Sequence, residues 1–149
     1  MKVKSLNIKS ALRLTVLVLA LVAVMPAKAQ SIRKSQYSTP LYYVDGQKLR
    51  EHNKYGSVLF YRDDSYVRSE GRYGDRLLYL DGNTVRSGGP YGDRLLYKDG
   101  NNIRVKDKYG DVLAYIDGNK LRARNRYGDV LLYFDGVPSW WVVATLMIY

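Results

Sequence analysis

Five arginines (Arg50, Arg68, Arg86, Arg104, Arg122) and five tyrosines (Tyr55, Tyr73, Tyr91, Tyr109, Tyr127) recur at intervals of eighteen residues, and they are the side chains best placed to do chemistry. A guanidinium recognises carboxylates and phosphates through paired N–H donors, and a tyrosine ring stacks on flat faces while its hydroxyl stays polar. Arrayed on one scaffold, the two columns could stack on sugars or hold an anionic glycan or peptide. They could equally be structural, each Arg pairing with an Asp of its own or the next unit and each Tyr packing its ring with the hydroxyl on a loop carbonyl. The residues themselves leave both readings open.

Catalytic groups are scarcer. The chain has no cysteine, and its only histidine, His52, falls where other units carry Glu70, Gly88, Lys106 and Arg124. Neither a G-x-S-x-G elbow nor a phosphate loop is present. Asp81-Gly82-Asn83 and Asp93 offer oxygens, but Ca²⁺ takes about six to eight of them, and these acids come one per turn beside arginines. Turn formation through Asp side chains accounts for them. Identical acid columns also lack the asymmetry that paired glycosidase carboxylates require. No catalytic, metal or cofactor residue is assigned, and the chain is expected not to be an enzyme.

The columns belong to a repeat. Tyr43, Tyr61, Tyr79, Tyr97, Tyr115 and Tyr133 keep the same spacing, as do Leu41, Leu59, Leu77, Leu95, Leu113 and Leu131. Asp-Gly pairs at Asp45, Asp81, Asp99, Asp117 and Asp135 are hairpin signals, with Asp63-Asp64 the exception, whose turn should be slightly strained. The fold class is therefore all-β: five tandem β-hairpin repeats across residues 41–136, arranged around a central axis, because one isolated hairpin is at best marginal in water. A three-residue loop ending at Gly82 is expected, which puts Leu77, Tyr79 and Val85 on the inner face and sends Arg86 to the other. The column Phe60, Leu78, Leu96, Ala114, Leu132 is also apolar, so the first strand of each unit could be covered on both sides.

Both ends of the chain differ from the repeat. Lys2, Lys4, Lys9 and Arg13 precede an apolar run, Leu14 to Met25, and then Ala27-Lys28-Ala29. This describes a signal peptide over residues 1–29 with cleavage after Ala29, the run being shorter than the roughly twenty residues of a spanning helix. The product would be exported to the periplasm or beyond the cell, with no stable transmembrane span. Five of the 24 cations and none of the 14 acids would leave with the signal, lowering the net charge from +10 to +5. A charge so modest and so interspersed with acids argues against a nucleic-acid partner. Residues 30–40 form a polar lead-in, expected to be loose over Gln30 to Ser35. The last segment, residues 137–149, includes Trp140 to Tyr149, almost wholly apolar, and reads as a strand or short helix packed inside the ring; the rival reading is an exposed membrane-binding or export tail.

With Y-x-D-G-N-x-aliphatic-R and Y-G-D-x-L-L units followed by an apolar tail, the stretch from Leu41 to Tyr149 resembles the exported five-fold β-flower proteins of Gram-negative gut bacteria. The resemblance implies five two-stranded petals around an axis and no established activity. Departures are Asp63-Asp64, Ser57 for Asp, and Gly88-Gly89-Pro90 in one link. Two functions are expected from this: a non-catalytic exported module that binds a glycan or an envelope protein through the Arg and Tyr columns, or a structural or assembly protein of the cell envelope.

Overall fold

Strand-favouring residues between Asp-Gly turns give short antiparallel strands, and nothing in a unit is long enough to cover its own apolar face. The computed structural model describes residues 29–149; the expected signal segment lies outside the described residues apart from Ala29. The elements are β1 (Gln30–Arg33), β2 (Tyr42–Asp45), β3 (Lys48–Glu51), β4 (Val58–Asp63), β5 (Tyr66–Ser69), β6 (Arg76–Asp81), β7 (Thr84–Ser87), β8 (Arg94–Asp99), β9 (Asn102–Val105), β10 (Val112–Asp117), β11 (Lys120–Ala123), β12 (Val130–Phe134) and the helix α1 (Trp140–Ile148). The twelve strands close into one barrel. At four to six residues they are shorter than the ~9–11 that a membrane-crossing strand needs, and no described helix is long and apolar enough to cross a membrane.

Five petals are the tandem hairpins β2–β3 to β10–β11. The sixth is built from the two ends of the barrel-forming chain: β1 pairs with β12, Ile32 opposite Phe134 and Arg33 opposite Tyr133. Two expectations are corrected here. Gln30–Arg33 is a strand rather than loose lead-in, and the ring has six petals rather than five. Five hairpins plus β12 would leave unpaired N–H and C=O groups along β2 and β12; β1 lies between them and satisfies both edges.

The hairpin register also differs from expectation. Asp81 pairs with Thr84 and Leu80 with Val85, so the loop has two residues, Gly82 and Asn83. Gly82 sits at φ +58°, and Asp64 takes the same position at φ +54°, which a side chain tolerates less well than glycine does. The inner face therefore carries Leu78, Leu80 and Val85, while Tyr79 and Arg86 face outward and Leu77 is half-buried at the edge of the core. A ring of buried tyrosines would have needed a partner for every hydroxyl, and the aliphatic columns need none.

The leucine column has a different role. Between petals, Leu78 pairs with Val67 but Arg76 with Arg68, so Leu77 is the extra residue of a β-bulge. Leu59, Leu95, Leu113 and Leu131 occupy the same bulge in the other seams. Bulges bend a strand and increase its twist, which a small closed barrel of short strands requires. The carbonyls of Leu59, Leu77, Leu95 and Leu113 accept from the residue that opens the next link, as Leu77 does from the Gly88 N–H at 2.9 Å. Of the bulge leucines, Leu113 and Leu131 are 40% and 44% exposed, whereas Leu77 and Leu95 pack against the core.

The core has three rings. Ile32, Leu49, Val67, Val85, Ile103 and Leu121 are buried to 2% exposure or less. Around the same axis lie Tyr42, Phe60, Leu78, Leu96, Ala114 and Leu132, and nearest the turns Val44, Leu80, Ile116 and Phe134, a level completed by the exposed Arg62 and the half-buried Lys98. Helix α1 fills the centre, with Trp141, Val142, Val143, Ala144 and Thr145 buried. Its β-branched and aromatic residues favour strand locally, yet inside a closed barrel there is no free edge to pair with. A helix satisfies its backbone groups internally and so is the form available there. The Thr145 hydroxyl likewise donates to the Trp141 carbonyl at 2.7 Å.

Candidate functional site

Each tandem wall arginine faces outward beside a Tyr of the opposite strand, with Nη1 bonded to a link carbonyl and Nε turned toward an Asp. Arg68 Nε donates to Asp63 Oδ2 at 2.9 Å and its Nη1 to the Gly74 carbonyl at 3.1 Å. Arg104 and Arg122 repeat this with Asp99 and Gly110, and with Asp117 and Gly128. In Arg50 and Arg86 the Gly56 and Gly92 carbonyls are bonded, but Nε stands 3.9 Å from Asp45 and 3.6 Å from Asp81. The column thus staples each hairpin to the following link, and the acids read from the sequence as turn formers are its counter-charges.

A sixth member was missed in the sequence. Arg33 lies 2.6 Å from Asp135, completing the ring. Burial pushes the Asp135 carboxyl up, but the Arg33 hydrogen bond, the backbone and hydroxyl of Ser31, and the Arg33 charge outweigh it and hold its pKa below the usual carboxylate value.

The tyrosines of the links are arranged oppositely. Tyr55, Tyr73, Tyr91, Tyr109 and Tyr127 are 84–99% exposed, so the packed ring considered as an alternative is not what the links build. Tyr37, eighteen residues before Tyr55, is 92% exposed in the sixth link. The backbone beneath them is fixed. Asn53, Asp107 and Asn125 side chains accept from the N–H of Tyr55, Tyr109 and Tyr127 at 2.8–2.9 Å. The glycine after each ring packs so tightly that a Cβ on Gly74 would collide with the Ser69 carbonyl. Lys54, Lys108 and Arg126 lie over the rings of Tyr55, Tyr109 and Tyr127 at 4.8–5.7 Å. Beside Tyr109 the rim opens into a groove of about 300 Å³ walled by Thr84, Arg94 and Tyr97.

Two strands separate successive links, so neighbouring tyrosines start about 10 Å apart, twice the ~4.8 Å strand spacing. Six rings on one rim make a crown. A model of the six-fold beta flower protein family matches residues 51–138.

The chain belongs to the six-fold beta-flower family.

The matched span contains four complete petals, and the count of six agrees with the closed ring and corrects the five-fold count expected from the tandem units. No curated protein and no solved structure matches the chain. In this beta-flower, His52 is exposed with Nδ1 3.2 Å from the Pro40 carbonyl, and it sits on the link rather than beside any carboxylate cluster. Among the described residues no group of three or more His, Cys, Asp or Glu is placed to hold a metal ion.

Proposed function

We propose that this beta-flower is an exported, non-catalytic binding module whose crown of rim tyrosines contacts a glycan of repeating structure. The observation that carries the reading is the exposure of six tyrosine rings, Tyr37 to Tyr127, at 84–99% on rigid, symmetry-related links. A soluble surface gains nothing in stability from such rings, whereas tyrosine is the residue that supplies contact area at low entropy loss in recognition surfaces. Single ring contacts are weak, and repetition at about 10 Å lets a polymer engage several at once, raising the overall affinity. The adjacent cations Lys54, Lys108 and Arg126 favour a polymer with some acidic residues. The wall arginines enter this reading as supports, because Nη1 of each tandem member is bonded to a link glycine carbonyl and Nε of Arg68, Arg104 and Arg122 to an Asp. The alternative of an envelope assembly protein drew on the apolar tail or the repeat edges as an interface; Trp141 to Thr145 are enclosed, and the strand edges pair in a closed barrel.

The test is a glycan array probed with the purified protein and with a variant in which Tyr73, Tyr91 and Tyr109 are replaced by Ser. Binding to polymeric glycans that the variant loses supports the proposal. Silence across neutral and anionic glycans alike removes it.

A further inference from the structure

The opposite end of the barrel, at the hairpin turns, departs from the repeat. In the ring nearest the turns Arg62 and Lys98 stand where other petals have Val44, Leu80, Ile116 and Phe134, and only the petal of Arg62 also has an altered turn. Two residues after Arg62, Asp64 occupies the turn position held by Gly46, Gly82, Gly100 and Gly118 elsewhere, at φ +54°. Restoring the repeat at either position would be favourable for folding, so stability alone does not account for the pair.

Both side chains line the same open mouth, a cleft of about 570 Å³ floored by Trp141 and edged by Gln30, Gln47 and Ser139. An adjoining depression of about 210 Å³, also lined by Arg62, Asp64 and Trp141, adds Trp140. The larger falls within the range of small-ligand pockets, about 300–1,000 Å³, with mixed aromatic and polar walls.

Its polar groups are only partly used. Arg62 donates Nε to the Asp64 carbonyl at 3.1 Å, and unlike the six wall arginines it has no carboxylate within salt-bridge distance among the described residues. Trp140 Nε1 is sealed from solvent without an acceptor among the described residues. Among the described residues, Gln30 donates to the Val137 carbonyl with no donor on its own carbonyl oxygen, and Gln47 accepts from the Tyr61 hydroxyl with no acceptor on its amide N–H groups. The mouth thus combines a free guanidinium edge with acceptors for hydroxyls and an aromatic floor.

We propose that this mouth is a single-copy binding site for an acidic sugar. Its carboxylate meets the free N–H edge of Arg62, where a paired geometry is available. Ring hydroxyls donate to Asp64 and to the Gln30 carbonyl and accept from Gln47. The apolar edge of the ring rests on the tryptophans. The site lies away from the tyrosine crown and does not depend on the crown binding anything.

The test is calorimetric titration of the purified protein with D-glucuronate, D-glucose, acetate and inorganic phosphate, repeated on Arg62→Leu and Asp64→Gly. Both substitutions restore the repeat, so both variants are expected to melt at or above the wild-type temperature. Glucuronate should bind at least tenfold more tightly than glucose or acetate. Arg62→Leu should weaken it at least tenfold and Asp64→Gly at least threefold. Absence of glucuronate binding, acetate or phosphate binding as tightly as glucuronate, or wild-type affinity in both variants would overturn the proposal.

Discussion

Arg33 Nη1 lies 2.6 Å from Asp135 Oδ1, tying the strand that opens the barrel to the petal that ends it. Ser31 reinforces the seam, its N–H reaching Asp135 Oδ2 at 3.2 Å and its carbonyl accepting from the Asp135 N–H at 3.1 Å. The five tandem petals close their own Arg–Asp pairs within single hairpins; here the partners are 102 residues apart.

The first prediction concerns this seam in acid. The Asp135 carboxyl has its pKa lowered on folding, so the stabilisation it gives is complete above the unfolded value near 3.9 and is lost as pH falls through the folded value. Its side chain is 45% exposed, and solvent screening keeps the contribution to about 0.5–1 kcal/mol. Urea midpoints between pH 2.5 and 6 should fall on acidification, and Asp135→Asn should flatten that part of the curve. A variant with an unchanged acid limb would contradict the assignment.

The second prediction tests the register. Leu78 is fully buried and Leu77 is the half-buried bulge residue beside it. Leu78→Ala should cost about 2–5 kcal/mol, as cavity-forming core substitutions do. Leu77→Ala should cost clearly less. Chemical denaturation of the two variants decides it, and the reverse order would restore the three-residue loop.

Close packing under the tyrosines gives a third. A Cβ at Gly74 would meet the Ser69 carbonyl, with no flexible side chain to give way. Gly74→Ala should lower stability by about 1–3 kcal/mol, the range of forced backbone shifts, while Gly71→Ala, where a Cβ meets open space, should fall within about 0.5 kcal/mol of wild type. Equal melting temperatures for the two variants would mean that the link is not rigid.

A fourth concerns the crown itself. Tyr73 and Tyr91 are the most exposed of the tandem tyrosines, at 95% and 99%. Replacing both with Ser should change stability by no more than about 0.5 kcal/mol and reduce retention on whichever glycan the protein holds. Loss of folding with retention intact would assign the rings to the structure instead.

The period of eighteen was enough to place the hairpins, the all-β class and the enclosure of the apolar tail, since each follows from the need to cover one face of a repeated unit. The sixth petal was hidden by a slip of one residue. Tyr37 keeps the spacing to Tyr55, but Arg33 lies seventeen residues before Arg50, because Tyr37 follows Arg33 by four positions where Tyr55 follows Arg50 by five. A scan at fixed period therefore finds Tyr37 alone, in a stretch whose polar composition reads as loose. The inner face was misread for a different reason. The leucines from Leu41 to Leu131 form the most uniform apolar column, and a bulge, which turns on hydrogen bonds between distant strands, leaves no mark in a single unit. Of the site residues, the Arg column is half-buried beside Asp partners and the Tyr column is exposed. The mouth near Arg62 was not legible at all, because its walls come from two turns, β1 and the tail.

Closure of the ring by its two ends is the claim on which the sixth tyrosine, the sixth arginine and the enclosed helix all rest, and the cysteine-free chain allows it to be tested by cross-linking. Arg33 and Tyr133 are directly opposed, and cross-strand Cα separations of about 4.5–5.5 Å suit a disulfide. The measurement is the mass and mobility of Arg33→Cys/Tyr133→Cys after mild oxidation, with and without reductant. A monomer that loses two hydrogens, migrates faster than its reduced form and melts at a higher temperature is the predicted result. Free thiols after oxidation, or cross-linked dimers in place of the monomer, would contradict a ring closed by β1 and β12.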